Sequence, residues 1–302
     1  MANILKKLVT KIPKIDELNE TVPIQTSPLS DDHVTIVNQR QPHGHPVQLC
    51  VGSGQSTGMQ RDHNEDTLFS MSSVFADGKN DLAMGIFIVA DGMGGHKNGE
   101  VASGSAARVA AGVLVKKVYS HFLDAPQSPL NESLQEIMEK AIEEAHKSVL
   151  KNAPGGGTTL TCALIIGEQV TIGHIGDSRA YFIFSDGRLQ QITKDHSLVQ
   201  RMVELEEISE AQAQSHPQRN VLLKAIGQTE NVFPDIQTHP LPKNGSILMC
   251  SDGLWGVVPE SKILTIIKKK ENPEITCRHL VEAANENGGP DNISAILIHC
   301  IG

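Results

Sequence analysis

The stretch Ile86-Phe87-Ile88-Val89-Ala90-Asp91-Gly92-Met93-Gly94-Gly95-His96 sets an apolar, strand-like run against an acidic stop and a cluster of glycines. A second run, Ile247-Leu248-Met249-Cys250-Ser251, meets Asp252-Gly253, and Asp291-Asn292 stands just before the last apolar run. An isolated Asp-Gly is most often a hairpin turn. Here a helical pattern follows the first, and Leu254-Trp255 follows the second. Carboxylates gathered at the ends of buried strands repel one another unless cations sit between them. A hard-metal site with oxygen ligands is therefore the first expectation. Gly92 is read as letting the backbone turn sharply, with its carbonyl toward a cation. Ser185-Asp186-Gly187-Arg188 lacks both the glycine cluster and the following helix, and reads as a plain hairpin turn.

Outward from these runs, strand-like segments fall at about 65–76, 84–90, 158–166, 169–175, 179–184, 188–192, 233–238, 246–251 and 292–299. Helical patterns fall at about 99–122, 131–152, 259–269 and 274–286, with Asn98 and Asn131 as expected caps. Strands come in adjacent hairpins and helices in pairs, an α+β layout rather than alternating βαβ units. Residues 197–228 read as short helices in a surface insertion.

Residues 1–47 are set apart as an N-terminal extension ahead of a catalytic domain at 48–302. Ile4, Leu5, Leu8, Val9 and Ile12 share one helical face among lysines. That is a frayed terminal helix or a helix that docks on a membrane or a partner. A polar, proline-bearing linker follows, and its His43 and His45 are too few to form a metal site alone.

The chain has 302 residues and a formal net charge of -9, with no extended basic stretch, which argues against nucleic acid as a partner. Five scattered cysteines without a Cys-x-x-Cys pair exclude a zinc ribbon, argue against a disulfide scaffold, and point to a reducing cytoplasm. No apolar stretch approaches the roughly 20 residues of a membrane span.

Among the chemistry-bearing residues, Arg61 offers a planar fork for a phosphate or carboxylate. Glu65 and Asp66 point to opposite faces once a strand has begun, so one of them is expected to reach a given site. Asp177 is a turn residue paired with Arg179 or a further ligand. No Gly-Lys-[Ser/Thr] closes the glycine cluster, so it is not a Walker loop.

Taken together, the motifs resemble the metal-dependent, type 2C (PPM-type) protein serine/threonine phosphatases, in their bacterial branch. The resemblance runs over about residues 50 to 300. It is carried by Arg61-x-x-Asn64-Glu65-Asp66, Asp91-Gly92-Met93-Gly94-Gly95-His96, Gly157-Thr158-Thr159-Leu160 and Gly176-Asp177-Ser178-Arg179-Ala180-Tyr181. It continues through Thr193-Lys194-Asp195-His196-Ser197-Leu198, Asn220-Val221-Leu222, Ser251-Asp252-Gly253-Leu254-Trp255 and Gly289-Pro290-Asp291-Asn292.

The resemblance implies a four-layer α-β-β-α sandwich of two antiparallel sheets flanked by helix pairs, with 197–228 as a flap. It implies that Asp91 bridges two Mn²⁺ or Mg²⁺ ions and that Asp252 and Asp291 complete the first. The Gly92 carbonyl, with Glu65 acting through a water, would serve the second. Asp177 with Asp252 would hold a third ion, Arg61 would bind the substrate phosphate, and Asn292 would support the site. A metal-activated water would then attack phosphorus directly. Animal relatives carry His where Met93 stands, so the group that protonates the leaving oxygen is unassigned, with His96 and His63 the nearest histidines. Phosphoprotein substrates, an opposing Ser/Thr kinase and a monomeric enzyme are expected. The alternatives are a catalytically weak pseudophosphatase serving as a regulatory binding module, which retention of Asp91, Asp252 and Asp291 disfavours, and a metal-dependent nuclease, which the acidic balance disfavours.

Overall fold

A computed structural model describes residues 47–76, 81–94, 97–124 and 130–302. The expectations for the terminal helix, the linker, His43, His45 and His96 lie outside the described residues. Every described residue belongs to the compact unit Arg40–Gly302.

Two antiparallel sheets form the centre. The first runs in the order β1 (Gln48–Ser56), β11 (Ile293–Ile301), β10 (Ser246–Cys250), β7 (Arg179–Ile183), β8 (Leu189–Gln191). The second runs β2 (Asp66–Ala76), β3 (Asp81–Met93), β5 (Leu160–Ile166), β6 (Gln169–Ile175), β9 (Asp235–Pro240), and the short β4 (Gly157–Thr158) pairs with the end of β3.

The long apolar run of β3 is explained by burial on both faces. Phe87 and Val89 meet Met249, Ile296 and Ile298 between the sheets. Ile86, Ile88 and Ala90 face outward onto α1 (Lys97–Leu114) and α3 (Leu134–Asn152), through Ala102, Ala106, Ala110, Met138 and Ile142. The shorter α2 is Ser120–Asp124. On the far side, Leu248 and Leu297 carry Ile263 and Leu280, from α7 (Glu260–Ile267) and α8 (Pro273–Glu286). The result is helix pair, sheet, sheet, helix pair. Each large side chain fully buried this way contributes about 1.5–3 kcal/mol before entropy is counted. Two short helices, α4 (Leu198–Glu204) and α5 (Glu210–Gln214), lie in the flap, and α6 (Asp252–Trp255) follows β10.

Several local expectations need correction. The run at 99–122 is not one helix: a π-helical segment, Val115–Tyr119, separates α1 from α2. Asn98 lies inside the first turn of α1 rather than capping it. The cap of α3 is Ser133, not Asn131, and it forms a full capping box with Glu136.

Strand β1 has no counterpart in the sequence pattern. Its glycines weaken strand propensity, and packing is the reason they are there. A Cβ at Gly52 would lie 2.1 Å from the Glu274 backbone nitrogen, and one at Gly54 would lie 3.1 Å from Cys277 O. Glycine lets α8 press onto the edge of the sheet.

Candidate metal centre

Strand β3 does not stop at Asp91. It continues through Gly92 and Met93, and its register sets Asp91 directly opposite Asp66 of β2. Strand alternation puts residues 87, 89 and 91 on one face, so Asp91 points toward the space between the sheets. Two like charges directly opposite on paired strands destabilise that pairing. Asp91 is nevertheless held firmly by its backbone. Its N–H donates to Thr159 Oγ1 at 2.9 Å, and its carbonyl accepts from Thr158 Oγ1 and Thr159 N–H, each at 2.9 Å.

The other carboxylates arrive from the first sheet. Ser251 N-caps α6, whose first residue is Asp252, and the Ser251 hydroxyl donates to Asp66 Oδ2 at 2.9 Å. Asp291 lies just before β11, and its Oδ2 accepts from Arg61 Nη2 at 2.7 Å. Asn292 ties these loops together. Its Nδ2 donates to Thr57 O and His63 O at 2.9 Å each, and its Oδ1 accepts from Glu65 N–H at 2.8 Å.

The glycines of the Asp-Gly pairs serve close contact, not a turn. Gly92 is within β3 and has no positive φ. A Cβ there would stand 2.3 Å from Gly99 O and 2.5 Å from Glu65 O. A Cβ at Gly253 would stand 2.0 Å from Asn292 O. The sharp turn expected at Gly92 is thus replaced by a seam where three backbones meet.

The electrostatics follow from crowding. Burial, then the neighbouring Asp252 and Asp291, push Asp66 up to about 7 against the hydrogen bonds from Ser294 and Ser251. Burial and Asp291 push Asp252 up to about 6. Asp91 is held well above the usual carboxylate range by burial and by Asp66, Asp252, Asp177 and Asp291. Asp177 is raised by burial, then by Asp252 and Asp195, with Arg179 opposing. Asp66 Oδ1 and Asp252 Oδ1 are buried without a hydrogen-bond partner. Oxygens of this kind, on carboxylates that penalise one another, are the donor chemistry of a hard divalent cation. Among the described residues, no three His, Cys, Asp or Glu side chains are gathered closely enough to hold a metal ion as they stand.

The structure thus brings Asp91, Asp252, Asp291 and Asp177 into one electrostatic cluster and adds Asp66, which the sequence pattern had not singled out as a site residue. Only the β2–β3 register reveals it. Glu65, its neighbour, stands just before the strand: its Oε1 lies 3.2 Å from His63 Nε2, and its carboxyl group packs against Gly99, whose carbonyl borders Gly92. Met93 Sδ is 3.4 Å from Gln228 Nε2.

Asp177 does not pair with Arg179. Arg179 instead makes a forked bond to Asp195, with Nη2 to Oδ2 at 2.7 Å and Nε to Oδ1 at 3.0 Å. It also stacks 3.5 Å above the centre of the Trp255 ring. Trp255 Nε1–H then donates to Asp177 O at 3.0 Å, so α6 carries Asp252 and steadies the Asp177 loop as well.

The family model described as protein phosphatase 2C matches residues 51–293, and the chain belongs to that family. It is 36% identical over 241 residues to a protein named serine/threonine phosphatase stp of Listeria welshimeri, covering 80% of this chain and 92% of that one. Its fold matches the crystal structure of the serine/threonine phosphatase PstP/Ppp of Mycobacterium tuberculosis, with a TM-score of 0.69 and 30% identity, over 84% of this chain and 99% of that one. A PstP catalytic domain crystallised with two manganese ions matches with a TM-score of 0.67 and 29% identity, over 85% and 100% of the two chains.

Proposed function

We propose that this chain hydrolyses phosphoserine and phosphothreonine on proteins, using Mn²⁺ or Mg²⁺ held by Asp91, the Gly92 carbonyl, Asp252, Asp291 and Asp66. Glu65 contributes through a water, and Asp177 with Asp252 takes a third ion. The observation that carries this reading is the group of mutually raised carboxylates with two orphaned oxygens, Asp66 Oδ1 and Asp252 Oδ1. Family membership and the manganese bound to a structural relative support it.

When bound, the metals supply an acidified water and positive charge facing the phosphoryl oxygens. The chain's residues do the rest. The carboxylates keep the donor set in place on backbones fixed by Thr158, Thr159 and Asn292. Arg61 is half-exposed and already grips a carboxylate; its fork suits a phosphoryl group equally well. None of the five cysteines is needed as a nucleophile, and all five are unpaired, which suits a reducing cytoplasm. No helix among the described residues is long and apolar enough to cross a membrane. In this reading the substrates are phosphoproteins supplied by a Ser/Thr kinase, the enzyme acts as a monomer, and residues 1–47 lie outside the catalytic domain. The regulatory-module alternative has no missing carboxylate to rest on.

The test is an Mn²⁺-supplemented assay offering a phosphothreonine peptide, p-nitrophenyl phosphate and single-stranded DNA to the full chain. Release of phosphate from the peptide, abolished by chelation, is expected. Cleavage of DNA with no peptide hydrolysis overturns the proposal.

A further inference from the structure

Gly176 precedes Asp177 in a left-handed conformation, φ +108. Both of its backbone polar groups are held by one residue, His196. The Gly176 N–H donates to His196 Nδ1 at 3.1 Å, and the His196 N–H donates to Gly176 O at 2.7 Å. Because Nδ1 accepts, Nε2 carries a proton, and it lies 3.2 Å from Asp235 Oδ2 on β9. The contact falls outside hydrogen-bond geometry, yet His196 is the main reason Asp235 is held down, at about 2. The imidazole is buried and stacks on His174 at 5.0 Å, and His174 is itself fixed between Thr161 and the Lys194 carbonyl.

The remaining polar group of His196 faces the flap. Its carbonyl accepts from Leu223 N–H at 2.8 Å, Leu198 N–H reaches Val221 O at 2.8 Å, and Ser197 bridges Leu222. These contacts close the base of the flap. A second tie lies three residues on: Ile226 and Thr158 exchange backbone hydrogen bonds of 2.9 and 3.1 Å, and Thr158 Oγ1 donates to Asp91 O. The flap is therefore bonded at its root to the loop of one clustered aspartate and at its exit to the strand of another.

We infer that His196 is a positioning residue that locks the Gly176–Ser178 loop to the base of the 197–228 flap, so that order at Asp177 and order in the flap are set together. The mechanical link stands on the contacts above. Only its consequence for a cation at Asp177 rests on the proposed function.

Two polar variants separate the ring nitrogens. His196→Asn keeps an acceptor where Nδ1 stands and loses reach to Asp235. His196→Gln places its amide where Nε2 stands and abandons Gly176. Hydrogen exchange is followed on the full chain, without metal and with Mn²⁺. In the metal-free Gln variant, exchange at Gly176 and across residues 198–223 is expected to rise about tenfold, the worth of one hydrogen bond. The Asn variant is expected to retain wild-type exchange at both segments. Added Mn²⁺ is expected to protect loop and flap together in wild type and in the Asn variant, but the loop alone in the Gln variant.

Unchanged flap exchange in the metal-free Gln variant overturns the inference. So do equal losses of melting temperature in both variants with exchange unaltered, which would reduce His196 to packing. If Mn²⁺ protects neither segment of wild type while the Gln variant still loosens both, the link stands and the metal role of Asp177 falls. Should the Gln variant not fold, Leu223→Pro deletes the N–H that reaches His196 O from an exposed position. Mn²⁺ must then protect the loop without the flap, and equal protection of both overturns the link.

Discussion

Among the described residues the dipeptide Asp-Gly occurs at Asp91-Gly92, at Asp252-Gly253 and at Asp186-Gly187, and the first two behave oppositely to the third. At Asp186-Gly187 the chain turns between β7 and β8, Gly187 has φ +87, and the exposed Asp186 is held below its ordinary range by the hydrogen bond from Arg188. At Asp91-Gly92 and Asp252-Gly253 neither glycine has a positive φ, each carboxyl is raised by burial among its own kind, and each glycine makes room for another backbone. Surroundings, not residue identity, make one a turn and the other two a candidate metal centre.

The contrast breaks most visibly at Asp252. Asp252→Asn is expected to lower turnover of a phosphopeptide by about 100- to 1000-fold, the scale of losing a major electrostatic contributor. The same change relieves repulsion in the metal-free chain. Its melting temperature is therefore expected to rise by about 2–4 °C, the equivalent of about 1 kcal/mol. A metal-free melting temperature that falls instead would show that Asp252 is not crowded by its neighbours. Asp186→Asn should change neither quantity.

Next in size is the seam. Gly253→Ala forces a Cβ to within 2.0 Å of Asn292 O, and is expected to cost about 3 kcal/mol or more as overpacking, read from denaturant unfolding. Activity should fall with it, because the loop carrying Asp291 into β11 is displaced.

The pH dependence sharpens the contrast further. Asp66 and Asp252 titrate at about 7 and about 6 in the folded chain, against an ordinary 3.8. A raised acid of this kind favours the folded state below pH 4, and that contribution is lost as pH rises through 6 to 7. His174 works the other way. Burial and then His196 hold it down at about 3 against 6.5, so its contribution is present above 6.5 and lost as pH falls toward 3. Thermal melts from pH 5 to 8 on metal-free wild type and Asp66→Asn isolate the acid effect as the difference in slope. Equal slopes would remove Asp66 from the cluster. Mn²⁺ is expected to suppress the decline above pH 6.

The smallest effect belongs to the control turn. Gly187→Ala meets only a positive φ and the flexible end of Lys268. It should cost about 1 kcal/mol and leave activity at the wild-type level.

Much of this molecule was legible along the chain. The apolar run at 86–90, the hairpin at 185–188 and the acids Asp91, Asp252 and Asp291 are local signals, because periodicity, turn residues and charge are properties of neighbours in sequence. Strand β1 was not legible, because Gly52 and Gly54 are chosen by a helix more than 200 positions away. The π-helical break at Val115–Tyr119 left no pattern either.

The choice between Glu65 and Asp66 marks the boundary best. Residue order alone says that they face opposite ways, since alternation is built into a pleated strand. Which of them joins Asp91 depends on the pairing of β2 with β3, where a slip of one residue would exchange the two faces. The chain's own order thus supplied the acids, the glycines and the α+β layout. Folding alone decided which carboxylates meet, because repulsion, desolvation and register exist only between segments that the sequence keeps far apart.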